Sequence, residues 1–307
     1  MTGAERREAT ISADFAVRPG DDEIDLFGLT HRGNVRARNE DHFLLATIHP
    51  QVVVHSTSLP NPAQLAGRGE RFATLMLVAD GVGGGVAGAD ASRMAIESIT
   101  HYVSHTLRCY KEFGGAEDNT EGVSLADALR AAANEAHAAV RAEWATRDER
   151  RSMATTLTLA LAVWPWAYIV QVGDSRCYQY QQGKLVRLTR DQTVAQQLAD
   201  EGVLPEESIA RSPFANVLAS AIGAEESLPE ITKVEIRKRS LFLLCSDGLT
   251  KHVTDEEIAE AVRTHGRAET ICRSLVDLAL ERGGTDNVTV IVGGARGSTE
   301  SIPEETA

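Results

Sequence analysis

The chain of 307 residues sets 31 Lys and Arg against 44 Asp and Glu, a formal net charge of -13. With no concentrated basic stretch, that balance excludes a nucleic-acid or anionic-membrane surface as the working face. The length allows one large domain or two small ones, and one main domain with a sizeable core is expected. Cys109, Cys177, Cys245 and Cys272 are scattered without a C-x-x-C pair, which argues against a disulfide framework, a cysteine zinc site and redox chemistry, and fits a reducing cytoplasm.

In chain order, residues 1 to 23 are polar and acidic, lack the apolar core of a signal peptide, and read as a disordered tail. From Leu26 to Ile48 the pattern is strand, charged loop, strand, the loop holding Arg36, Asn39, Glu40 and Asp41. A short strand from Val52 and a Pro-, Asn- and Gly-rich segment form a hairpin insertion at about 48–71. Phe72 to Ala79 reads as a buried strand that delivers Asp80 into the turn Gly81-Val82-Gly83-Gly84-Gly85.

Helical spacing follows over Ala89 to Tyr110, and again after Ser124, where Ser124-x-x-Asp127 resembles a capping box ahead of an apolar stripe of Leu125, Leu129, Ala132, Ala136, Val140 and Trp144. Alternation returns from Thr155 to Leu188 as antiparallel strands. The apolar stretch Leu157 to Val172 is broken by Pro165, which favours a hairpin over a membrane span. Residues 190 to 222 read as a mobile surface module with a short helix at Val194 to Glu201. Strands at Ile231 to Ile236 and Leu241 to Cys245 lead to Asp247. Helices from Thr254 to Val262 and from Ala268 to Arg282 follow, then Asp286 precedes a last strand, Val288 to Val292. Residues 296–307 read as a second disordered tail. Strand blocks, each followed by paired helices, predict an α+β fold of two stacked, mostly antiparallel sheets with helices outside.

Asp80, Asp247 and Asp286 each border an apolar strand, and Glu40 and Asp41 join them. Five converging carboxylates repel one another unless cations neutralise them. With no His or Cys at matched spacing, the donors are oxygen, which favours Mg2+ or Mn2+ over Zn2+. Two such ions could activate a water and clamp a phosphoryl oxygen, and Arg36 could hold two phosphate oxygens through its planar guanidinium.

The ordered set Gly33-x-x-Arg36-x-x-Asn39-Glu40-Asp41, Ala79-Asp80-Gly81-x-Gly83-Gly84, Thr155-Thr156-Leu157, Val172-Gly173-Asp174-Ser175-Arg176, Ser246-Asp247-Gly248-Leu249 and Gly283-Gly284-Thr285-Asp286-Asn287-Val288-Thr289 resembles the motifs of the PPM family, the metal-dependent type 2C Ser/Thr protein phosphatases, over about residues 26 to 293. The resemblance implies a four-layer αββα sandwich over 24–295 and hydrolysis of phosphoserine and phosphothreonine by a metal-activated water. It implies that Asp80 bridges two metals, that the Gly81 carbonyl ligates one, and that Asp247 and Asp286 hold the other. Glu40 and Asp41 would act through water, Arg36 would bind the substrate phosphate, and Asp174 with Asp247 would form a third metal site beside a flap at 191–222. Phosphorylated targets of a Ser/Thr kinase are the implied partners, with no nucleic acid or membrane, in a cytoplasmic, bacterial-like monomer.

Val82 stands where many eukaryotic relatives have a histidine, which leaves the general acid unassigned, and Gln192 follows Asp191 where histidine is common. Asp174 alone is equally a turn former. His31, His42 and His252 lie near motifs but read as surface or supporting residues. Gly83-x-Gly85-x-x-Gly88 matches a dinucleotide fingerprint on paper, opposed by the charge of Asp80 and by helix where a second strand is needed. A catalytically silent phosphatase-like scaffold and a two-metal nuclease are the rival functions. The retained aspartates weigh against the first and the acidic charge against the second.

Overall fold

Apolar runs separated by turn residues pair into two five-stranded antiparallel sheets. In the computed structural model, which describes residues 18–52, 67–84, 86–110, 124–147, 153–237 and 239–295, the first sheet takes the order β1 (Ile24–His31), β14 (Val288–Ala295), β13 (Leu241–Cys245), β10 (Arg176–Gln181), β11 (Lys184–Arg187). The second takes the order β12 (Glu230–Glu235), β9 (Trp166–Val172), β8 (Leu157–Val163), β5 (Ala73–Ala79), β2 (His42–Ile48). Two short ribbons complete the strands, β3 (Gln51–Val52) with β4 (Gly67–Arg68) and β6 (Gly81–Val82) with β7 (Ala154–Thr155). The helices are α1 (Val86–Tyr110), α2 (Leu125–Thr146), α3 (Val194–Asp200), α4 (Asp247–Thr250), α5 (Asp255–His265) and α6 (Ala268–Glu281).

Strand periodicity decides the layering, because alternate side chains leave opposite faces of a sheet. Along β5, Met76 and Val78 point between the sheets, where they meet Ala160, Ile169, Phe242, Leu244 and Ile291. Leu75 and Leu77 point the other way, onto Ile99 and Val103 of α1 and Leu129 and Val140 of α2. Similarly, Leu243, Val290 and Val292 face Ile258 and Val262 of α5 and Ile271, Leu275 and Ala279 of α6. Three apolar layers between four structural layers give the αββα sandwich. All seven residues of β5 are buried, at roughly 1.5–3 kcal/mol for each large side chain.

Local signals set the helix ends. Thr254 and Glu257 form a reciprocal capping box at α5, which closes at Gly266 in the left-handed conformation (φ 63°) and so runs three residues past the expected end at Val262. Ser124 caps α2 by accepting from the Asp127 N–H. The last strand also runs longer than expected, because Gly293 and Gly294 pair with both β1 and β13. The segment 190–222 is tied to the body: Val194 N–H donates to Val217 O (2.7 Å) and Ala219 N–H to Gln192 O (2.9 Å). The tails 1–17 and 296–307 and the insertion between 53 and 66 lie outside the described residues. Residues Pro19 and Asp21 are held by the Arg71 guanidinium at 2.8 and 3.1 Å. Among the described residues, no helix is long and apolar enough to cross a membrane.

Candidate active site

The site forms where strands of both sheets end. Asp80 directly follows β5, and its backbone is fixed on three sides: its N–H donates to Thr156 Oγ1 (3.0 Å), while its carbonyl accepts from Thr156 N–H (2.9 Å) and Thr155 Oγ1 (2.8 Å). Thr156 Oγ1 also meets Ser175 Oγ at 2.8 Å, which links this turn to the turn carrying Asp174. Gly81 must lack a side chain, since a Cβ there would lie 2.4 Å from the Gly88 carbonyl oxygen and 2.8 Å from that of Glu40. The glycine turn thereby brings the start of α1 against the Glu40 loop.

That loop is positioned from the far end of the chain. Asn287, which is buried, donates to the carbonyls of Arg32 (2.8 Å) and Arg38 (2.9 Å) and accepts from Glu40 N–H (2.8 Å). Asp41, also buried, accepts hydrogen bonds at Oδ2 from Ser246 Oγ and Thr289 Oγ1, both 2.7 Å. Its other oxygen, Oδ1, is buried with no hydroxyl or N–H donor and has the Asp80 carboxyl beside it, and Asp247 Oδ1 is likewise buried without a donor. A buried acceptor without a donor is costly, so two of them in one cluster call for a ligand.

The electrostatics agree. Burial, and then repulsion from Asp41, Asp247, Asp174 and Asp286, pushes the Asp80 carboxyl well above the usual carboxylate range. Burial raises Asp41 to about 6, against the opposing effect of its Thr289 and Ser246 hydrogen bonds. Burial and the charges of Asp247 and Asp191 raise Asp174 to about 8. Asp286 goes the other way: burial would raise it, but Lys251 and Arg36 outweigh that and hold it below its ordinary value. Arg36 grips Asp286 with Nε on Oδ1 (2.8 Å) and Nη2 on Oδ2 (2.8 Å), leaving about half of its side chain exposed. Lys251 Nζ lies 2.5 Å from Asp247 Oδ2 and 2.8 Å from Asp286 Oδ2.

The structure thus brings Arg36, Asp41, Asp80, Asp174, Asp247 and Asp286 into one charge cluster, with Glu40 near enough to act on the Arg36 charge and the Gly81 peptide beside it. Asp174 is in a turn, as its sequence alone allows, and also presses on Asp247. Val82 is partly exposed in β6 and brings no proton donor. Gln192 clamps that Asp174 turn, accepting from Gly173 N–H at 2.9 Å. His252 pairs with Thr285 and His42 with Ser92, both at 2.9 Å, in supporting positions. Ser246, Asn287 and Thr289 fall inside the quoted motifs but carried no assigned role there, and Lys251 falls outside them, with its i,i+4 spacing from Asp247 as its one readable signal.

The donor set suits a hard cation. All the gathered side-chain donors are oxygens, and two of those oxygens lack a hydrogen-bond donor. Among the described residues no three His, Cys, Asp or Glu side chains are already gathered closely enough to hold an ion between them; Mg2+ and Mn2+ commonly keep several waters and take one or two carboxylates directly.

Comparison with known proteins places this arrangement. The family described as Protein phosphatase 2C matches residues 60–277. The serine/threonine protein phosphatase PstP of Mycobacterium tuberculosis is 36% identical over 220 residues, 72% of this chain and 40% of the relative, so the chain spans about two fifths of that protein's length. The serine/threonine phosphatase stp of Listeria monocytogenes is 29% identical over 219 residues, covering 71% of this chain and 83% of the relative. A crystal structure of the PstP catalytic domain in complex with two manganese ions superposes with a TM-score of 0.66 at 31% identity, covering 89% of this chain and 99% of that one. The sandwich, its strand-end carboxylates and these matches agree that the chain belongs to the protein phosphatase 2C family.

Proposed function

We propose that this protein removes phosphate from phosphoserine and phosphothreonine in other proteins, in opposition to a Ser/Thr kinase, with a domain of residues 24–295 acting as a monomer in the cytoplasm. The observation that carries this reading is the pair of buried oxygens without a hydrogen-bond donor, Asp41 Oδ1 and Asp247 Oδ1, inside an all-oxygen carboxylate cluster. The names of the relatives and the manganese in a PstP structure support it.

Asp80, the Gly81 carbonyl, Asp247 and Asp286 would hold two Mn2+ or Mg2+ ions, with Glu40 and Asp41 engaged through water and Asp174 with Asp247 available for a third. Such ions, when bound, supply a nucleophilic water at neutral pH and polarise the phosphoryl oxygens. The chain's own residues do the rest. The hydroxyls of Thr155 and Thr156 fix the backbone of Asp80 and those of Ser246 and Thr289 fix the carboxylate of Asp41 before substrate arrives, so little reorganisation remains for the transition state. Arg36, half exposed and held at the cluster by its pairing with Asp286, would bind the substrate phosphate through its remaining guanidinium N–H groups and orient it. No side chain of the cluster is offered as a nucleophile, and Val82 cannot protonate the leaving serine or threonine oxygen, so the general acid stays unassigned, and a water could supply that proton.

Release of phosphate from a phosphothreonine peptide, with and without divalent cation, tests the proposal. Wild type should turn over only with the cation, and Asp80→Asn and Asp247→Asn should lose most of that activity. Equal rates in all three proteins would end the enzyme reading.

A further inference from the structure

Lys251 stands where a cation is needed. It begins at the C-terminal end of α4, where its N–H donates to the Asp247 carbonyl at 2.9 Å, and the side chain returns along the same turn to place Nζ between Asp247 Oδ2 (2.5 Å) and Asp286 Oδ2 (2.8 Å). Only about a quarter of the lysine side chain is exposed. The two carboxylates it bridges are 39 residues apart in sequence (286 − 247) and come from different elements, so the ammonium fastens the end of β13 to the start of β14. An acid four residues ahead of a lysine is also the favourable order for such a pair on a helical turn.

The geometry points to Lys251 as a resident cation that holds the Asp247–Asp286 pair together in the metal-free protein and must be displaced for the second divalent ion to bind. The inference rests on the metal reading proposed above. The ammonium sits on Asp247 Oδ2 and Asp286 Oδ2, beside the buried, partnerless Asp247 Oδ1, so a divalent ion taken up by this pair meets a positive charge at close range and the two cations repel. The divalent ion carries twice the charge and wins when its concentration is high enough, since the interaction of unit charges at this range in a partly buried setting is strong. Lys251 therefore raises the divalent-ion concentration at which the pair becomes loaded, while leaving the Asp80 side of the cluster alone. It is a positioning residue with a regulatory consequence: the protein is kept intact when metal is scarce and is armed only when metal is plentiful.

Calorimetric titration of Mn2+ into the full chain, as wild type, Lys251→Met and Asp80→Asn, tests this together with thermal unfolding without metal. Lys251→Met keeps the aliphatic stem and removes the charge. Its weaker binding step should tighten about tenfold or more, while its metal-free unfolding temperature falls below wild type and the difference disappears on saturation. A second measurement needs no variant: amine labelling of wild type read by mass spectrometry should find Lys251 protected without metal and reactive with saturating Mg2+. An unchanged or weakened second step in Lys251→Met, or equal labelling of Lys251 in both states, overturns the inference while leaving two-metal binding standing. A wild type that takes up no Mn2+, or an Asp80→Asn variant that binds as wild type does, overturns the metal reading itself.

Discussion

Gly248 offers a sharp test of how the site is built, because it is not itself a proposed ligand but lies between the backbones that carry Asp247 and Asp286. A Cβ added there would lie 1.8 Å from the Asn287 carbonyl oxygen, 2.8 Å from its carbon and 3.4 Å from Asp286 Cβ. Ordinary contact between such atoms is about 3.5 Å or more, so Gly248→Ala must separate the Asp247 and Asp286 backbones by on the order of 1.5 Å. The obstacle is backbone, not a flexible tip, so the upper end of the usual overpacking cost applies, about 3 kcal/mol. In a domain of this size that corresponds to a fall in Tm of roughly 6–12 °C. Displacement of a catalytic carboxylate by about 1 Å should lower turnover about a hundredfold. Thermal unfolding and Mn2+-dependent peptide dephosphorylation measure the two effects. A Gly248→Ala protein with wild-type Tm and wild-type turnover would refute the close approach of α4 to the Asn287 turn, and with it the positioning argument for Asp247 and Asp286.

Without metal, the raised carboxyls fix a pH dependence with a definite sign. A folded-state value above the unfolded one means that the protonated form is the stabilised form, so this contribution is complete below about pH 4 and is lost as pH rises through about 6 for Asp41 and about 8 for Asp174. Asp41 has lost most of its contribution by about pH 6, so from pH 6 to 8 the loss comes mainly from Asp174 and amounts to about 3 kcal/mol; denaturation in EDTA should show lower stability at pH 8.5 than at pH 6, and saturating Mg2+ should remove the trend, whereas a metal-free stability that is flat or rising over that range counts against it. Asp80→Asn should abolish metal-dependent turnover yet stabilise the metal-free protein by ~1–2 kcal/mol, since it removes a buried charge crowded by four others; a lower metal-free Tm would contradict this. Arg36→Lys should raise KM for a phosphopeptide at least about tenfold with little change in Tm, because the arginine is half exposed; steady-state kinetics with an unchanged KM would remove its phosphate-binding role. Asn287→Ala leaves the partly buried Arg32 and Arg38 carbonyls and Glu40 N–H without this partner and should cost ~2 kcal/mol or more, read by chemical denaturation, where a loss below about 1 kcal/mol would contradict the tether.

The carboxylates were legible in the sequence for a physical reason: a charged residue at the edge of an apolar run, followed or preceded by glycine, cannot continue the strand, so Asp80, Asp247 and Asp286 had to fall at strand ends. Their convergence was legible only through the ordered motifs, since no local pattern specifies that β14 inserts between β1 and β13. Helix starts were readable from Ser124 and Thr254, whose hydroxyls do the capping their spacing suggests. Asn287 is of a residue type that favours turns, and its actual work, holding the Arg32 and Arg38 carbonyls, depends on residues about 250 positions away. Lys251 was hidden for the opposite reason. Its partner is four residues away, and that spacing describes countless surface pairs that do nothing.

The pairing of β1 with β14, Ile24 opposite Ala295 through to His31 opposite Val288, has a consequence for how the protein is made. Arg36 and Asp41 leave the ribosome early, yet Asp286, Asn287 and Thr289, which hold them in place, are among the last residues of the domain to emerge. A nascent chain therefore carries no assembled carboxylate centre at any intermediate length, and the proposed activity has to wait until synthesis of the domain is all but finished.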